Sequence, residues 1–468
     1  MKPVSFDRPG GLRLHISERA CLAILTVLGL AQVGVYSRIL LLDDPGLRIG
    51  EYIVLFLLCF ILYMLSLVLV ARLHARSTSL RLRLLFTVLL FSVVFRIMMI
   101  PLKPGLSHDF MRFLWDGRLL ANGVNPYLYR PDAPELDAFK NAPYFVDYEF
   151  KHTFTVYPPV AQLFFAGTYL LAGGSFLGPK IAVSIIDMIN VLLIAALLRE
   201  IKGGNQLPGI VIYAWSPLLV VESAGNAHIE PLMTLFILLS LHCLCRNKVR
   251  LSSLSFSLAC WSKLYPLLLM PAYLKHLKDS ESRGLRDFFL VFLSSSAVFL
   301  APVLASSGLN LLFQIFWYSQ NITYNASVFT LLDMVLGSWN TGRLMASVLV
   351  YSAFLPSLAG ILWMRRLRSL LDLSHVSIMV YGVFLLFAPS LFQWYLLWIL
   401  PFMAIRGLHM VSIPWLYLSG AVVLAYLPQF SLAYDPVAFR LLEYAPLYLL
   451  VSSSILAETK PFSRVSQN

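Results

Sequence analysis

A dense group of ionisable and aromatic residues lies between positions 108 and 131, in HDFMRFLWDGRLLANGVNPYLYRP. Asp109, Arg112, Asp116 and Arg118 recur at roughly helical spacing, so Arg112 can share a helix face with each carboxylate. A carboxylate in such a place can take a proton from a hydroxyl group. The pattern therefore predicts a catalytic segment, and a solvated helix whose charges pair with one another is the simpler alternative.

Polar residues also interrupt two apolar stretches farther along the chain. Glu222, His228 and Glu230 lie in WSPLLVVESAGNAHIEPL (215–232), and Lys263 lies in WSKLYPLLLMP (261–271). A lysine inside a membrane is energetically costly and usually functional. The competing interpretation of Lys263 is a straight helix from which the side chain extends to a nearby interface. For His228 a structural hydrogen bond is an equal alternative, and Glu222 can simply pair with a nearby arginine or histidine.

Three aromatic residues complete the set of candidates. Tyr157 follows the charged segment in TVYPPVAQLFF (155–165), and Trp394 and Tyr395 lie in FQWYLLWILP (392–401). Such rings can stack on a bound ligand. An aromatic belt at the membrane surface is the competing explanation for them.

The composition requires a membrane around these residues. Of the 468 residues, 59% are hydrophobic and 13% are charged, against about 25% charged residues in ordinary soluble domains. The net charge of +12 is typical of cytoplasmic loops in membrane proteins and does not indicate nucleic-acid binding. The five cysteines show no disulfide framework, and no His/Cys cluster predicts a zinc site.

Hydropathy predicts an all-α polytopic membrane protein of about twelve spans with both termini in the cytoplasm. Basic clusters indicate the cytoplasmic side, whereas the loops at 43–51, 103–156 and 306–342 are expected outside. The expected divisions are an N-terminal three-span segment (1–102), an extracytoplasmic catalytic loop (103–156) and a C-terminal bundle (157–460). The predicted spans lie near 20–42, 51–71, 82–102, 178–198, 207–224, 228–245, 286–305, 344–364, 374–388, 391–405, 411–427 and 437–457.

Two apolar stretches are predicted to be re-entrant hairpins. Residues 251–273 have basic clusters on both sides and Lys-Leu-Tyr-Pro in the middle, which places Lys263 near the tip of a hairpin that enters from the cytoplasm. Residues 157–176 begin with Tyr-Pro-Pro and end in Gly-Gly, which predicts a hairpin entering from outside. Broken helices at such depth are tolerated where they line a protein cavity. The two hairpins therefore predict a cavity in the outer half of the bundle.

The charged segment resembles the signature of GT-C glycosyltransferases that use polyprenyl-phosphate sugars. The resemblance is closest to bacterial multi-span mannosyltransferase-like proteins, and the segment is similar to the catalytic subunit of GPI mannosyltransferase I. TVYPPVAQLFF, the Glu222–His228–Glu230 stretch, WSKLYPLLLMP, YNASVFTLL (324–332) and FQWYLLWILP match further family segments in order. The chain departs from the family pattern at Glu230, where aspartate is expected.

The resemblance implies a GT-C-type helical bundle and an inverting transfer of a hexose, mannose first, from a polyprenyl-phosphate donor. It implies Asp109 as the base, Asp116 as the second candidate for that role, and Lys263 as the cation at the leaving phosphate. The other residues expected to bind substrate or donor are His108, Arg112, Arg118, Asn125, Tyr127, Tyr157, Glu222, His228, Glu230, Gln393 and Trp394. No cofactor or metal is expected, although a divalent cation at Asp109 and Asp116 stays open.

The expected partners are the lipid-linked sugar, the membrane and a lipid, glycan or protein acceptor. The bacterial plasma membrane, with the active site facing outside, is the expected location, and the endoplasmic reticulum membrane is the alternative if the source is eukaryotic. Broken helices and an intramembrane lysine are also typical of transporters, so a transporter or flippase of a lipid-linked saccharide is the alternative function. A non-catalytic membrane scaffold would have no use for these charged residues.

Overall fold

The computed structural model describes residues 18–73, 77–145, 150–202, 205–280, 284–336, 342–431, 433 and 435–459. In these ranges the fold is all-helical, and the extended chain forms one isolated bridge, between Tyr324 and Ser390. A lipid environment explains this, because only helices or closed barrels pair every backbone polar group internally. The α-helices are α1 (Glu18–Leu40), α2 (Ile49–Arg72), α3 (Thr78–Met99), α4 (Asp109–Ala121), α5 (Pro159–Ala172), α6 (Leu177–Lys202), α7 (Leu207–Ala214), α8 (Pro217–Val220), α9 (Glu230–Cys245), α10 (Val249–Ser262), α11 (Met270–Asp279), α12 (Leu285–Ser307), α13 (Asn310–Asn321), α14 (Val328–Leu336), α15 (Gly342–Met364), α16 (Leu370–Phe387), α17 (Leu400–Arg406), α18 (Ile413–Ala421), α19 (Tyr426–Phe430) and α20 (Pro436–Thr459).

Eight helices in the described ranges are long and apolar enough to cross a membrane. They are α1, α2, α3, α6, α12, α15, α16 and the continuous run Ile413–Phe430. A ninth span results if α7 and Pro217–Gly225, which meet at a bend of 41°, are counted together. The membrane-protein class is therefore confirmed, whereas the count of twelve is not.

The other predicted spans contain helices that are short or broken, or that are not among the eight. Residues 228–245 contain the 16-residue α9, and residues 391–405 contain a 3-10 helix (Gln393–Trp398) followed by the seven-residue α17. α20, at 437–457, is not among the eight helices. Pro401 lies in the first turn of α17, where proline is tolerated at the start of a new helix.

The stretch at 157–176 is one helix rather than a two-armed hairpin. Pro159 begins α5 at a position where proline is favoured, and the helix continues for 14 residues to Ala172. Gly173, whose φ is +60°, then ends it. No proline or glycine pair interrupts the middle of the stretch, which explains why the chain does not turn back there.

The stretch at 251–273 does break at Lys263. α10 ends at Ser262, Lys263 has an extended backbone, and a 3-10 helix follows over Tyr265–Leu269. The ring of Phe256, before the break, lies 4.4 Å from the ring of Tyr273, after it. The arms on either side of Lys263 therefore touch at these two rings.

The bundle that positions the site is built from three sets of helices. α1 packs on α2 and α3, α9 packs between α6 and α10, and α7 packs on α17. A buried ion pair between Arg96 and Asp187 (2.8 Å) joins α3 to α6, and Arg96 also donates to the carbonyl of Ala214 in α7. Outside this bundle α4 lies along α5, so the predicted catalytic segment is held against a helix.

Candidate active site

A cavity of about 880 Å³ opens where α4, the break at Lys263, α15, α16 and the 3-10 helix at Gln393–Trp398 meet. The cavity wall includes four charged or polar residues, His108, Asp109, Arg112 and Lys263. Most of the remaining wall is apolar, and it includes Leu268, Val350, Phe354, Leu355, Phe384 and Phe387. Such a wall suits a ligand that has both a charged group and a long apolar part.

Asp109 presents a carboxylate to the cavity. It is the first residue of α4, where the helix dipole favours a negative charge, and its side chain is 33% exposed. The hydroxyl of Tyr157 donates to Asp109 Oδ2 at 3.2 Å. Burial, and next the negative charge of Asp109, raise the pKa of Tyr157 well above its usual value, so this hydroxyl stays a proton donor. The Asp109 carboxylate therefore stays accessible from the cavity.

His228 lies behind Asp109 and is held by Glu222. Nδ1 of His228 lies 3.0 Å from Glu222 Oε2, and Nε2 lies 3.9 Å from Asp109 Oδ2. Tyr426 and Asn226 also donate to the Glu222 carboxylate, at 2.9 and 3.1 Å. Glu222 is thus fully enclosed and does not line the cavity. Glu222 is thus a partner of a nearby histidine, His228, which is the simpler of its two interpretations from the sequence.

The backbone between Glu222 and His228 has an unusual conformation. Val221–Gly225 forms a π-helical turn, and Ala227 adopts a φ of +65°, which is rare for a residue with a side chain. The amide of His228 then donates to the carbonyl of Glu222 at 2.9 Å. This turn brings the His228 ring back onto the Glu222 side chain, and such locally strained turns occur preferentially at functional sites.

A continuous stack of rings supports His228 on its face. Trp394 lies 3.8 Å from the His228 ring at an interplanar angle of 21°. Phe392 stacks on Trp394, and Tyr324 stacks on Phe392, at 4.7 and 4.6 Å between centroids. The stretch around Tyr324 is fixed by the backbone bridge to Ser390. The two family-like stretches at 324–332 and 392–401 thus act together on the His228 ring.

Lys263 forms an ion pair with Glu230 at the cavity wall. Its Nζ donates to Oε1 of Glu230, which is completely buried at the start of α9. Lys263 was expected as a cation aimed at a phosphate, and the structure gives it a carboxylate partner as well. An ammonium group carries three N–H donors, so the contact with Glu230 leaves two for a ligand in the cavity.

Asp116 is buried and does not line the cavity. Its Oδ1 forms an ion pair with Arg112 Nε at 2.7 Å, and its Oδ2 accepts from Thr155 at 2.6 Å and from Gln162 at 2.8 Å. The i,i+4 pairing of Arg112 with Asp116 agrees with the helical spacing of the sequence. The pair holds the Arg112 guanidinium at the cavity wall, so the geometry favours Asp109 over Asp116 as a group that meets a substrate.

Four other predicted residues lie away from the cavity wall and hold loops in place. Arg118 donates to the carbonyl of Phe139 and to Asn141, and Asn125 donates to Ser306. Tyr127 donates to the carbonyl of Tyr157, whereas the Gln393 amide donates to Tyr324. The predicted residues that line the cavity are His108, Asp109, Arg112, Tyr157, Lys263, Trp394 and Tyr395.

Several contributors were not predicted from the sequence. Gln314 and Tyr318 of α13 line the cavity, and Gln314 accepts from the amide of Phe154. Tyr426 holds Glu222 although it is 204 positions away in the sequence. The sequence offers one signal for Gln314, which is a polar residue in the loop at 306–342 that is predicted to lie outside. The sequence around Tyr426 has no feature that marks this tyrosine as part of the site. In the part of the chain that is described, no group of three His, Cys, Asp or Glu side chains is arranged to hold a metal ion.

Comparison with known proteins places the chain in a family. A search of curated proteins gave no match. The family model for the N-terminal domain of alpha-(1->6)-mannopyranosyltransferase matches residues 23–277, which is more than half of the chain. The matched range includes Asp109, His228 and Lys263. The family consists of mannosyltransferases, which agrees with the resemblance to GT-C glycosyltransferases. The chain belongs to the alpha-(1->6)-mannopyranosyltransferase family.

Proposed function

We propose that this membrane glycosyltransferase transfers mannose from polyprenyl-phosphate mannose to an acceptor hydroxyl, with inversion, on the extracytoplasmic side of the membrane. The observation that carries the proposal is the position of Asp109, with Arg112 and Lys263, in the wall of a cavity that is otherwise largely apolar. The apolar wall suits a prenyl chain, and the charged residues suit a sugar phosphate. A nucleotide sugar would have no use for so large an apolar wall.

In the proposed reaction Asp109 is the general base. It takes the proton of the acceptor hydroxyl while that oxygen bonds to the anomeric carbon and the bond from this carbon to the phosphate oxygen breaks. Polyprenyl phosphate leaves with the bonding electron pair. The family name indicates an α-(1→6) product, so the acceptor hydroxyl is a 6-hydroxyl, and inversion requires a β-linked donor.

Arg112 and Lys263 stabilise the leaving phosphate. Both line the cavity, and both are fixed by a buried carboxylate, Asp116 and Glu230 respectively. Cations held in place in a water-poor site stabilise the charge that develops in the transition state. In the proposed topology the two arms around Lys263 enter and leave from the cytoplasm, which places the lysine below the outward-facing Asp109.

Replacement of Asp109 tests the function directly. In vesicles containing purified protein, radiolabelled polyprenyl-phosphate mannose and an α-mannoside acceptor, Asp109→Asn should lower turnover about 10²–10⁴-fold, because the amide cannot take a proton. Donor binding should be retained, because the amide has nearly the shape of the carboxylate. Asp137→Asn is the matched control, since Asp137 is exposed in the same loop and pairs with Lys140.

Three outcomes would contradict the proposal. Near-normal turnover by Asp109→Asn would remove Asp109 as the base. Transfer from GDP-mannose without a lipid-linked donor would contradict the donor class. A product with the anomeric configuration of the donor would contradict inversion.

A further inference from the structure

Only one of the two ring nitrogens of His228 has a hydrogen-bond partner among the described residues. Nδ1 contacts Glu222, whereas Nε2 has no hydrogen-bond partner among the described residues, although the side chain is 1% exposed. Leaving a buried polar atom unpaired costs about 1–3 kcal/mol, so such an atom calls for an explanation. The nearest acidic oxygen in front of Nε2 is Asp109 Oδ2, at 3.9 Å.

The surroundings of Glu222 fix the proton on Nδ1. The Tyr426 hydroxyl and the Asn226 amide both donate to the Glu222 carboxylate, so its oxygens act as acceptors toward the His228 ring. With Nδ1 donating to Glu222, Nε2 carries a lone pair directed toward Asp109. A carboxylate that holds a histidine tautomer in this way is a recurring device in acid–base catalysis.

Three groups around the ring would face an imidazolium at His228. Glu222 supplies a buried carboxylate on one side and Asp109 supplies another beyond Nε2. Trp394 covers the ring face at 3.8 Å, and an indole face attracts a cation. The other titratable groups nearby are Tyr157 and Tyr426, which donate to these two carboxylates. Glu230, two residues after His228 in the sequence, is paired with Lys263.

We infer that His228 is a second proton acceptor, which takes the proton from Asp109 after sugar transfer, and that Glu222 is the positioning residue that holds its ring. The inference rests on the proposed function. The acceptor proton goes first to Asp109, and Asp109 then passes it to Nε2 of His228, which becomes an imidazolium. Asp109 returns to its carboxylate form, and His228 releases the proton to water when the products leave.

The distance between the two groups fits a transfer that occurs only during the reaction. At 3.9 Å Nε2 is beyond the range of about 2.6–3.2 Å at which protons are transferred directly, and catalytic hydrogen bonds often shorten when the substrate is bound. A protonated Asp109 gains a donor that the carboxylate lacks, and this donor has Nε2 as its unpaired acceptor. The contact is therefore expected to close once Asp109 has taken the proton.

Deletion of the ring and its replacement by imidazole test the inference. In the vesicle assay His228→Ala should lower kcat about 10²-fold, with a much smaller change in the KM for polyprenyl-phosphate mannose. Added imidazole should occupy the vacated space and raise the kcat of His228→Ala by about tenfold or more, because it restores a proton acceptor beside Asp109. The matched control is His375→Ala, which deletes another buried histidine, in α16, and the turnover of this variant should not rise with imidazole.

Two further variants protect the test against a folding defect. His228→Gln keeps a side chain that can bond to Glu222 but cannot take the proton, so it should fold normally and lose kcat like His228→Ala. Glu222→Gln presents an amide donor to Nδ1 and so drives the ring proton to Nε2, which should lower kcat without rescue by imidazole. The double variant His228→Ala/Glu222→Gln should lose little more than His228→Ala alone, because the two residues act as one unit.

The outcomes separate the inference from the function. Transfer by the wild type together with a kcat of His228→Gln within about twofold of it would overturn the inference alone, since a missing acid–base group costs far more. A loss in His228→Ala that imidazole does not reduce would also overturn it. Absence of transfer from polyprenyl-phosphate mannose by the wild type would overturn the proposed function, and the inference with it.

Discussion

At the scale of single residues, the cations of the site are paired rather than free. Each cation on the cavity wall has a buried acidic partner, Asp116 for Arg112 and Glu230 for Lys263. Breaking a buried pair by removing one member typically costs about 3–5 kcal/mol, because the other charge stays buried without a partner. We therefore expect substitution of Lys263 to change both the stability and, under the proposed function, the binding of the donor, so one variant alone cannot separate the two effects.

A paired substitution separates them. Lys263→Met should lower the thermal stability and also weaken the binding of polyprenyl-phosphate mannose, because Glu230 is left buried without its cation. The double variant Lys263→Met/Glu230→Gln should recover most of the stability but not the donor affinity. Lys263→Arg should rescue donor binding only in part, because the guanidinium needs a different geometry. Measured melting temperatures and donor affinities decide the matter, and full donor affinity in the double variant would refute the phosphate role of Lys263.

Local spacing predicts some of these residues and not others. The pairing of Arg112 with Asp116 follows from an i,i+4 separation, which a helical pattern reveals. The pairing of Lys263 with Glu230 joins residues 33 positions apart, and Tyr426 reaches Glu222 across 204 positions. Such contacts depend on how the helices pack, so the sequence indicated that Glu230 and Lys263 matter without showing that they meet.

At the scale of elements, the site depends on the close approach of α4 and α5. Gly117 of α4 faces the backbone of Phe165, and a methyl group at Gly117 would lie 2.5 Å from the Phe165 carbonyl oxygen. Gln162, one turn earlier in α5, donates to Asp116, which in turn holds Arg112. The absence of a side chain at Gly117 thus allows α5 to reach the charged network.

Gly117→Ala should therefore lower both the melting temperature and the turnover, because α4 and α5 must move apart to admit the methyl group. Gly167→Ala is the matched control in α5, since nothing lies within 4 Å of the added carbon. That control should be neutral or stabilising by up to about 1 kcal/mol, as expected for glycine replaced by alanine in a helix. If Gly117→Ala keeps the stability and the activity of Gly167→Ala, the close packing of α4 on α5 is not required.

The elements also show why hydropathy alone gave too many spans. An apolar stretch is recognised whether or not its helix is continuous, and the prolines at 217, 231 and 401 begin new short helices. The Pro-Pro and Gly-Gly pairs at the ends of residues 157–176 suggest a hairpin, but in the structure they mark the beginning and the end of a single helix. The break at Lys263 was indicated correctly, because Pro266 follows closely and cannot continue the hydrogen bonding of α10.

At the scale of the whole molecule, α12 separates two chemically different ends. Its first residues lie beside a basic groove of about 630 Å³ that includes Lys275, Lys278 and Arg286. Its last turn contacts the loop of the active site, where Ser306 accepts from Asn125. A helix of 23 residues is about 34 Å long, which is close to the thickness of a bilayer. The basic groove and the active-site loop therefore lie at opposite ends of a membrane-length helix.

The positive-inside rule then predicts which end faces the cytoplasm. A cysteine introduced at Ala138, in the exposed loop after α4, should react with a membrane-impermeant maleimide in intact cells, and one at Ser280, beside the basic groove, should react only after the cells are opened. Cys243 and Cys245, which are half-buried, are first replaced by serine, whereas Cys21, Cys59 and Cys260 are buried and remain. Labelling of Ser280→Cys but not Ala138→Cys in intact cells would place Asp109 in the cytoplasm. Nucleotide sugars are available there, so that result would remove the need for a lipid-linked donor and contradict the proposed reaction.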